Sequence, residues 1–295
     1  MSADITLCIC SYRRPEIVET LAALSRQIGV ARNRIQVVVA DNTEEARSRA
    51  LVALAREEFG LDLDYVHAPA NNISIARNAC LDAAKGRWIA YLDDDEMPAP
   101  DWLKTLLDAA EQGSWDVVLG PVKALYPEAA PGWLVAGDFH STRPVWVRGQ
   151  IATAYTGNVL FRRDIVETHR LRFRLELGST GGEDEDFFYR VRDLGGRIGY
   201  AERAVCYEWV PLKRAALGWL LRRSFRAGQS HGRRLEQGGR TPLRAAAALA
   251  KCIFCCGGAL VSLARPVSSR RYLIRAALHG GAVARLAGLS EIRMY

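Results

Sequence analysis

The stretch Trp88-Ile89-Ala90-Tyr91-Leu92-Asp93-Asp94-Asp95 decides the fold. Five apolar residues in succession read as a strand buried on both faces, and the run stops on three aspartates. Such a strand belongs in a parallel sheet, whose carboxyl edge is where ligands sit in open α/β folds. Toward the N-terminus the pattern repeats. Residues 5–10, 35–40 (IQVVVA, ending at Asp41) and 63–67 are strand-like. Residues 16–27, 44–59 and 75–84 carry helical patterns. Strands alternating with helices of this kind predict βαβ units and a mostly parallel sheet flanked by helices.

Toward the C-terminus the chain changes character. Residues 113–207 are broken by Gly, Pro and aromatic residues and by two long polar loops. Glu183, Asp184, Glu185 and Asp186 open a predicted helix that Gly195-Gly196 close. From 211 onward the sequence is helical, apolar and rich in arginine. A boundary is expected near 210.

Charge follows the same division. The formal net charge is +7, yet residues 209–295 carry 16 Lys and Arg against two acids, a net of +14, leaving −7 for residues 1–208. A basic tail calls for an anionic partner such as a diphosphate, a nucleic acid or an anionic membrane. The seven cysteines are irregularly spaced and several lie in apolar runs, which reads as reduced thiols in a cytosolic setting. Cys252, Cys255 and Cys256 have no second ligand pair nearby in sequence to complete a metal site. No signal peptide is expected, because the chain enters its first strand without a basic leader.

Three constellations carry chemistry. Asp93, Asp94 and Asp95 are three adjacent carboxylates at a ligand-facing strand end, a repulsive arrangement that a hard divalent cation offsets. An acidic helix cap before Asp101 needs fewer acids than this. Glu183 to Asp186 follow Gly181-Gly182. Acids in a first helical turn are favoured by the helix dipole, and a carboxylate there also suits a general base. The loop Ser11-Tyr12-Arg13-Arg14-Pro15 suits phosphate or nucleotide contacts.

These residues resemble family 2 glycosyltransferases, which have the GT-A fold. Five segments match in order over about residues 4–210. They are Cys8 to Pro15, the strand 35–40 with Asp41-Asn42, Asn71 to Asn78, Trp88 to Asp95, and Gly182 to Arg190. The resemblance implies a GT-A catalytic domain over 1–210, with a nucleotide-binding half at 1–100 and an acceptor and catalytic half at 101–210. It implies that Asp184 is the catalytic base with Glu183 beside it. Asp93 and Asp95 would hold Mn²⁺ or Mg²⁺. Ser11, Arg13, Arg14, Arg77 and Asp94 would serve the nucleotide, and Asp41 would accept the imide N–H of uracil. The reaction implied is one inverting displacement, moving a sugar from a nucleotide-sugar donor to a polyprenyl-linked or glycan acceptor in polysaccharide synthesis. UDP-glucose stands first among the donors. The look is nearest to the glucosyltransferases of succinoglycan-type exopolysaccharide synthesis. Two departures stand out. Ile73 occupies a place where many members have Gly, and Glu208 stands where many have His. Glu208 as a third metal ligand and Glu208 as a surface residue both stay open.

The region 211–295 is expected to be a basic helical, membrane-associating segment. Residues 245–264 are near the length of a membrane span but contain much Ala and Gly. Peripheral attachment at the cytoplasmic face of an anionic membrane ranks first, a buried helical hairpin second and a true span third. A metal-dependent nucleotidyltransferase or another phosphoryl-transfer enzyme is the alternative, although no Walker-type loop is present. Nucleic acid is not an expected partner, because the tail's basic residues alternate with small apolar ones and not with stacking aromatics.

Overall fold

The computed structural model describes residues 4–237 and 242–292. The chain divides into two compact units. The first holds the residues up to Ala124, Ser141–Ser179 and Glu183–Trp209. The second holds Leu125–His140, Thr180–Gly182 and the residues from Val210 onward.

The first unit opens with strand β1 (Ile5–Ser11), helix α1 (Ile17–Ser25), strand β2 (Ile35–Asp41), helix α2 (Arg49–Phe59), strand β3 (Leu63–His67), helix α3 (Ile73–Ala83) and strand β4 (Trp88–Asp93). Strand β5 (Glu96–Pro98), helix α4 (Trp102–Gly113), strand β6 (Val117–Leu119) and strand β7 (Val122–Leu125) follow. Helix α5 (Gly132–Gly137) belongs to the second unit. The first unit resumes with the hairpin β8 (Trp146–Val147) and β9 (Gln150–Ile151), strand β10 (Asn158–Arg162) and helix α6 (Arg163–Thr168). Helix α7 (Glu183–Asp193), strand β11 (Ile198–Tyr200) and strand β12 (Cys206–Trp209) complete it.

The main sheet has seven strands in the order β11-β6-β10-β4-β1-β2-β3. Strands β1 to β4 pair in parallel, and β10 runs antiparallel to β4 and β6. The sheet is therefore mixed and mostly parallel, as the sequence predicts. Alternation sends side chains to two cores. Ile5, Leu7 and Ile9 of β1 join Val37 and Val39 of β2 and Trp88, Ala90 and Leu92 of β4 on one face. Cys8, Val38, Ala40, Ile89 and Tyr91 face the other, against Phe187 and Phe188 of α7. Strands buried on both faces need apolar residues throughout, which is why these runs are continuous.

The register fixes the ligand edge. Cys10 lies opposite Asp93, and Ser11 lies opposite Asp41. The ends of β1, β2 and β4 thus bring the first loop, Asp41 and the aspartate run to one rim. Helix α2 starts later than its composition predicts, at Arg49 and not at 44. Thr43 and Ser48 are engaged with Asp41, so the intervening backbone serves the loop. A small sheet, β5-β12-β7, lies outside the reach of periodicity because its strands have only three or four residues.

In the second unit, helices α8 (Leu217–Gln237), α9 (Pro242–Val261) and α10 (Pro266–Leu286) pack as a helical layer. Glycines permit close approach: a side chain at Gly228 would meet the backbone of Leu278, and one at Gly281 the backbone of Phe225.

Candidate active site

The aspartate run sits where the end of β4 turns into β5. Asp94 is turned inward: its carboxylate accepts from the Tyr12 backbone N–H at 3.3 Å, and its carbonyl accepts from Thr20 Oγ1 at 3.1 Å. Arg14 pairs with Asp95 and also approaches Asp94 at 3.7 Å. Asp93, the last residue of β4, is exposed to solvent. Burial of its surroundings, opposed by Arg77 and reinforced by Asp95 and Asp184, pushes its carboxyl up to about 6. Burial pushes Asp94 up to about 7 against the pull of Arg14. Arg14 itself stays firmly protonated, since the three aspartates outweigh its desolvation.

Glu96 is a member of this group that the sequence reading passed over. Its carboxylate is buried and accepts the backbone N–H of Asp93 at 3.0 Å, which holds the turn of the aspartate run. It lies opposite Glu208 in the β5–β12 pair. Burial, then the charges of Asp93, Glu208 and Asp95, drive its carboxyl well above the usual range. A side chain at Gly157 would strike Glu96 and crowd Asp93, so the glycine leaves room for both carboxylates. The signal for Glu96 was present, because the acidic run continues from Asp95 to Glu96.

The second cluster is sorted by its partners. Glu183 is buried and pairs with Arg77, while its Oε2 is enclosed and has no hydrogen-bond partner among the described residues. Burial and Asp184 raise its carboxyl against the pull of Arg77. Asp186 accepts from Arg190 at 2.9 Å, one turn along α7. Asp184 is half-buried and accepts the N–H of Glu185 at 2.8 Å. Its charge bears on both Asp93 and Arg77.

Arg77 is expected at the nucleotide, yet its guanidinium is buried against Glu183 and lies 5.6 Å from the Phe173 ring centre. It joins α3 to the start of α7. Helix α3 is fixed at its N-terminus by Asn72, whose side chain accepts from Ser74 at 3.0 Å. Of the first loop, Ser11 Oγ lies 2.9 Å from Ser48 Oγ, and Arg13, with φ at 57°, sits over Tyr12.

Asp41 closes β2. It is fully buried, and both oxygens are engaged. Oδ1 accepts from Thr43 N–H at 2.9 Å and Thr43 Oγ1 at 2.6 Å. Oδ2 accepts from Ser48 N–H at 2.7 Å and Tyr65 OH at 2.9 Å. A carboxylate offers about four acceptor positions, and in this arrangement these four donors occupy them. Burial favours the protonated form, but these four donors prevail and hold its carboxyl below the usual range. In this arrangement Asp41 organises the loop between β2 and α2.

The donor set fits a hard cation. Asp93, Asp95 and Glu208 carry oxygen donors of the kind a hard divalent ion takes, and Asp95 raises the carboxyl of Asp93 by its charge. Among the described residues, no three His, Cys, Asp or Glu side chains are grouped so as to hold a metal ion by themselves.

Residues 6–170 match the profile of the family described as Glycosyl transferase family 2. The chain is 46% identical over 294 residues to the succinoglycan biosynthesis protein ExoM of Rhizobium meliloti (strain 1021), covering 99% of this chain and 95% of the relative. It is 25% identical over 260 residues to the glucosyl-dolichyl phosphate glucuronosyltransferase of Haloferax volcanii, covering 78% of this chain and 76% of that one. Among solved structures, mannosyltransferase PcManGT from Pyrobaculum calidifontis, in complex with GDP-Man and Mn²⁺, matches at TM-score 0.63 and 21% identity over 95% of this chain and 87% of that one. S. aureus TarS 1–349 in complex with UDP-GlcNAc matches at 0.58 and 17% over 97% and 92%. The chain spans 43% of a longer TarS chain, at TM-score 0.56 and 18% identity over 79% of its own length. At these identities the structural likeness speaks for the fold.

Proposed function

The chain belongs to glycosyl transferase family 2, and from that premise we propose that it is a metal-dependent, inverting sugar transferase of exopolysaccharide synthesis. The 46% identity to a succinoglycan biosynthesis protein supports the pathway class. The observation that carries the mechanism is the buried Arg77–Glu183 pair, which ties α3 to the first turn of α7, where Asp184 stands.

Asp184 takes the proton of the acceptor hydroxyl as its oxygen attacks the anomeric carbon. The bond from that carbon to the diphosphate oxygen breaks in the same step, and the configuration inverts. Arg77 and Glu183 fix the start of α7 and thereby aim Asp184, so Glu183 is a positioning residue. Glu96 sets the turn that presents Asp93. Asp93 and Asp95, with Glu208 as a third candidate, would hold the ion. Asp95 must exchange its pairing with Arg14 to do so, which would release Arg14 toward the diphosphate. When bound, Mn²⁺ or Mg²⁺ supplies positive charge for the departing nucleoside diphosphate. Ser11 and Arg13 would line the nucleotide loop, and Asp94 would brace it from within.

The donor proposed first is UDP-glucose, and the acceptor a polyprenyl-linked or glycan sugar. The basic helical region 211–295 would attach the chain to an anionic membrane at its cytoplasmic face, where lipid-linked acceptors reside. Nothing in the site favours phosphoryl or nucleotidyl transfer. Calorimetric titration of UDP-glucose, UDP-galactose, GDP-mannose and dTDP-rhamnose, in Mn²⁺, Mg²⁺ or EDTA, tests the reading. Binding of one donor that EDTA abolishes supports it. Equal binding with and without metal would remove the proposed metal role.

A further inference from the structure

The outward half of α9 carries no charge. At 100° per residue, Leu243, Leu249, Ile253, Phe254, Leu260 and Val261 fall within an arc of roughly 140°, and the remaining positions of that arc are Pro, Ala or Gly. These side chains are bare: Ile253 is 63% exposed, Phe254 71% and Val261 90%. The opposite side of the helix, with Ala248, Cys255 and Ala259, is buried. A contiguous apolar face of this length is uncommon on a monomer's free surface and marks a place of attachment.

Length alone would let α9 cross a bilayer, since it is the one described helix long and apolar enough to do so. Its neighbour argues otherwise. Helix α10 runs antiparallel beside it: Ser269 Oγ donates to the Ala259 carbonyl at 3.0 Å, and Cys252 Sγ to the Ala276 carbonyl at 3.4 Å. Tyr272 fills the space over Gly258 and meets Phe254 edge-on at 6.5 Å. Helix α10 carries three arginines along this shared stretch: Arg270 lies 4.7 Å over the Trp133 ring, Arg271 lies 5.8 Å over the Phe139 ring and donates to the Gly137 carbonyl at 3.3 Å, and Arg275 is exposed. A spanning α9 would draw those arginines into hydrocarbon, each opposed by more than a hundredfold at the bilayer centre on insertion scales of about 3 kcal/mol. An α9 lying in the membrane plane keeps all three out of hydrocarbon and leaves Arg275 for the headgroup phosphates.

We infer that α9 lies flat in the interface of an anionic bilayer, its charge-free half sunk among the acyl chains and Lys251 and Arg275 at the lipid phosphates. This rests on the membrane attachment proposed above and gives it a helix, a face and an orientation. The occupant is a lipid surface because the exposed Lys251 of α9 and Arg275 of α10, which both act on His279, set positive charge beside the apolar arc.

The test is flotation with vesicles of phosphatidylglycerol or phosphatidylcholine, followed by quenching with lipids brominated at shallow or deep positions. Leu243→Trp, Ile253→Trp and Val261→Trp are measured one at a time over the constant native tryptophan background. The expected result is binding to phosphatidylglycerol vesicles, weakened by salt, with all three positions quenched best by shallow bromines. Val261→Glu, at the most exposed position, is expected to weaken binding at least tenfold with an unchanged circular-dichroism melt. Deep quenching confined to position 253 would overturn the flat orientation and leave attachment standing. Failure to float with either vesicle would overturn both. A dimer in solution that Val261→Glu dissociates, with no flotation, would make the face an interface between copies and also overturn the inference.

Discussion

A carboxyl that keeps its proton to about pH 6, as Asp93 does, or to about 7, as Asp94 does, must shed it before the site carries full negative charge. The folded protein holds protons that an unfolded aspartate sheds near 3.9. The metal-free protein therefore has this contribution in full below about pH 3.9 and loses it as pH rises from there through 6 to 7. A cation reverses the loss. The expected outcome is a larger Mn²⁺-induced rise in melting temperature at pH 7.5 than at pH 5.5, together with proton release in calorimetry across buffers of different ionisation heat. Asp95→Ala should abolish the EDTA-sensitive part of donor affinity, which titration would detect. Asp184→Asn should keep donor affinity and lower transfer by about 10²- to 10⁴-fold, the usual contribution of a general base. Normal turnover would move the base elsewhere. The two acidic clusters were legible from sequence as clusters, because acids at strand ends and helix starts have few structural reasons to gather. Asp41, Arg14 and Arg77 were less so. Their present partners, Tyr65, Asp95 and Glu183, lie 24, 81 and 106 residues away, and no local pattern encodes such pairings.

At the scale of elements, the lead into α7 is constrained. Gly181 and Gly182 have φ of 89° and 82°, a region that side-chain-bearing residues rarely adopt. A Cβ on Gly181 would meet the Arg226 guanidinium, which donates to the Thr180 carbonyl at 2.8 Å, and Arg233 donates to the Gly181 carbonyl at 3.1 Å. Because Gly181-Gly182 lead directly into Glu183 and Asp184, Gly181→Ala is expected to reduce turnover more than donor affinity, read as a fall in kcat at nearly constant donor Kd. In β1, Ile9 is fully buried, and Ile9→Ala should cost about 2–5 kcal/mol, seen as a lower denaturant midpoint. Long continuous apolar runs made β1, β2 and β4 readable. The three- and four-residue strands β5, β7 and β12 are held by their neighbours and too short for a period to show.

At the scale of the whole molecule, the asymmetry of −7 before residue 209 and +14 after it was plain in composition. Less plain was that Leu125–His140 and Thr180–Gly182 join the C-terminal helices in one compact unit. His140 shows why. It stacks on Trp219 at 5.2 Å, and its Nε2 lies 3.1 Å from the Arg214 carbonyl. Burial, and then Arg223, hold its imidazole neutral down to about 4. Such contacts between distant segments leave no trace in a linear reading. The central claim is that the two acidic clusters together perform metal-dependent sugar transfer. Release of nucleoside diphosphate from UDP-glucose, given Mn²⁺ and a lipid-linked sugar extract, tests it most directly when the native chain and Asp184→Asn are followed side by side. The account predicts steady release by the native chain, none in EDTA, and a loss of at least a hundredfold in the variant. Equal release by both proteins, or release indifferent to EDTA, would contradict it.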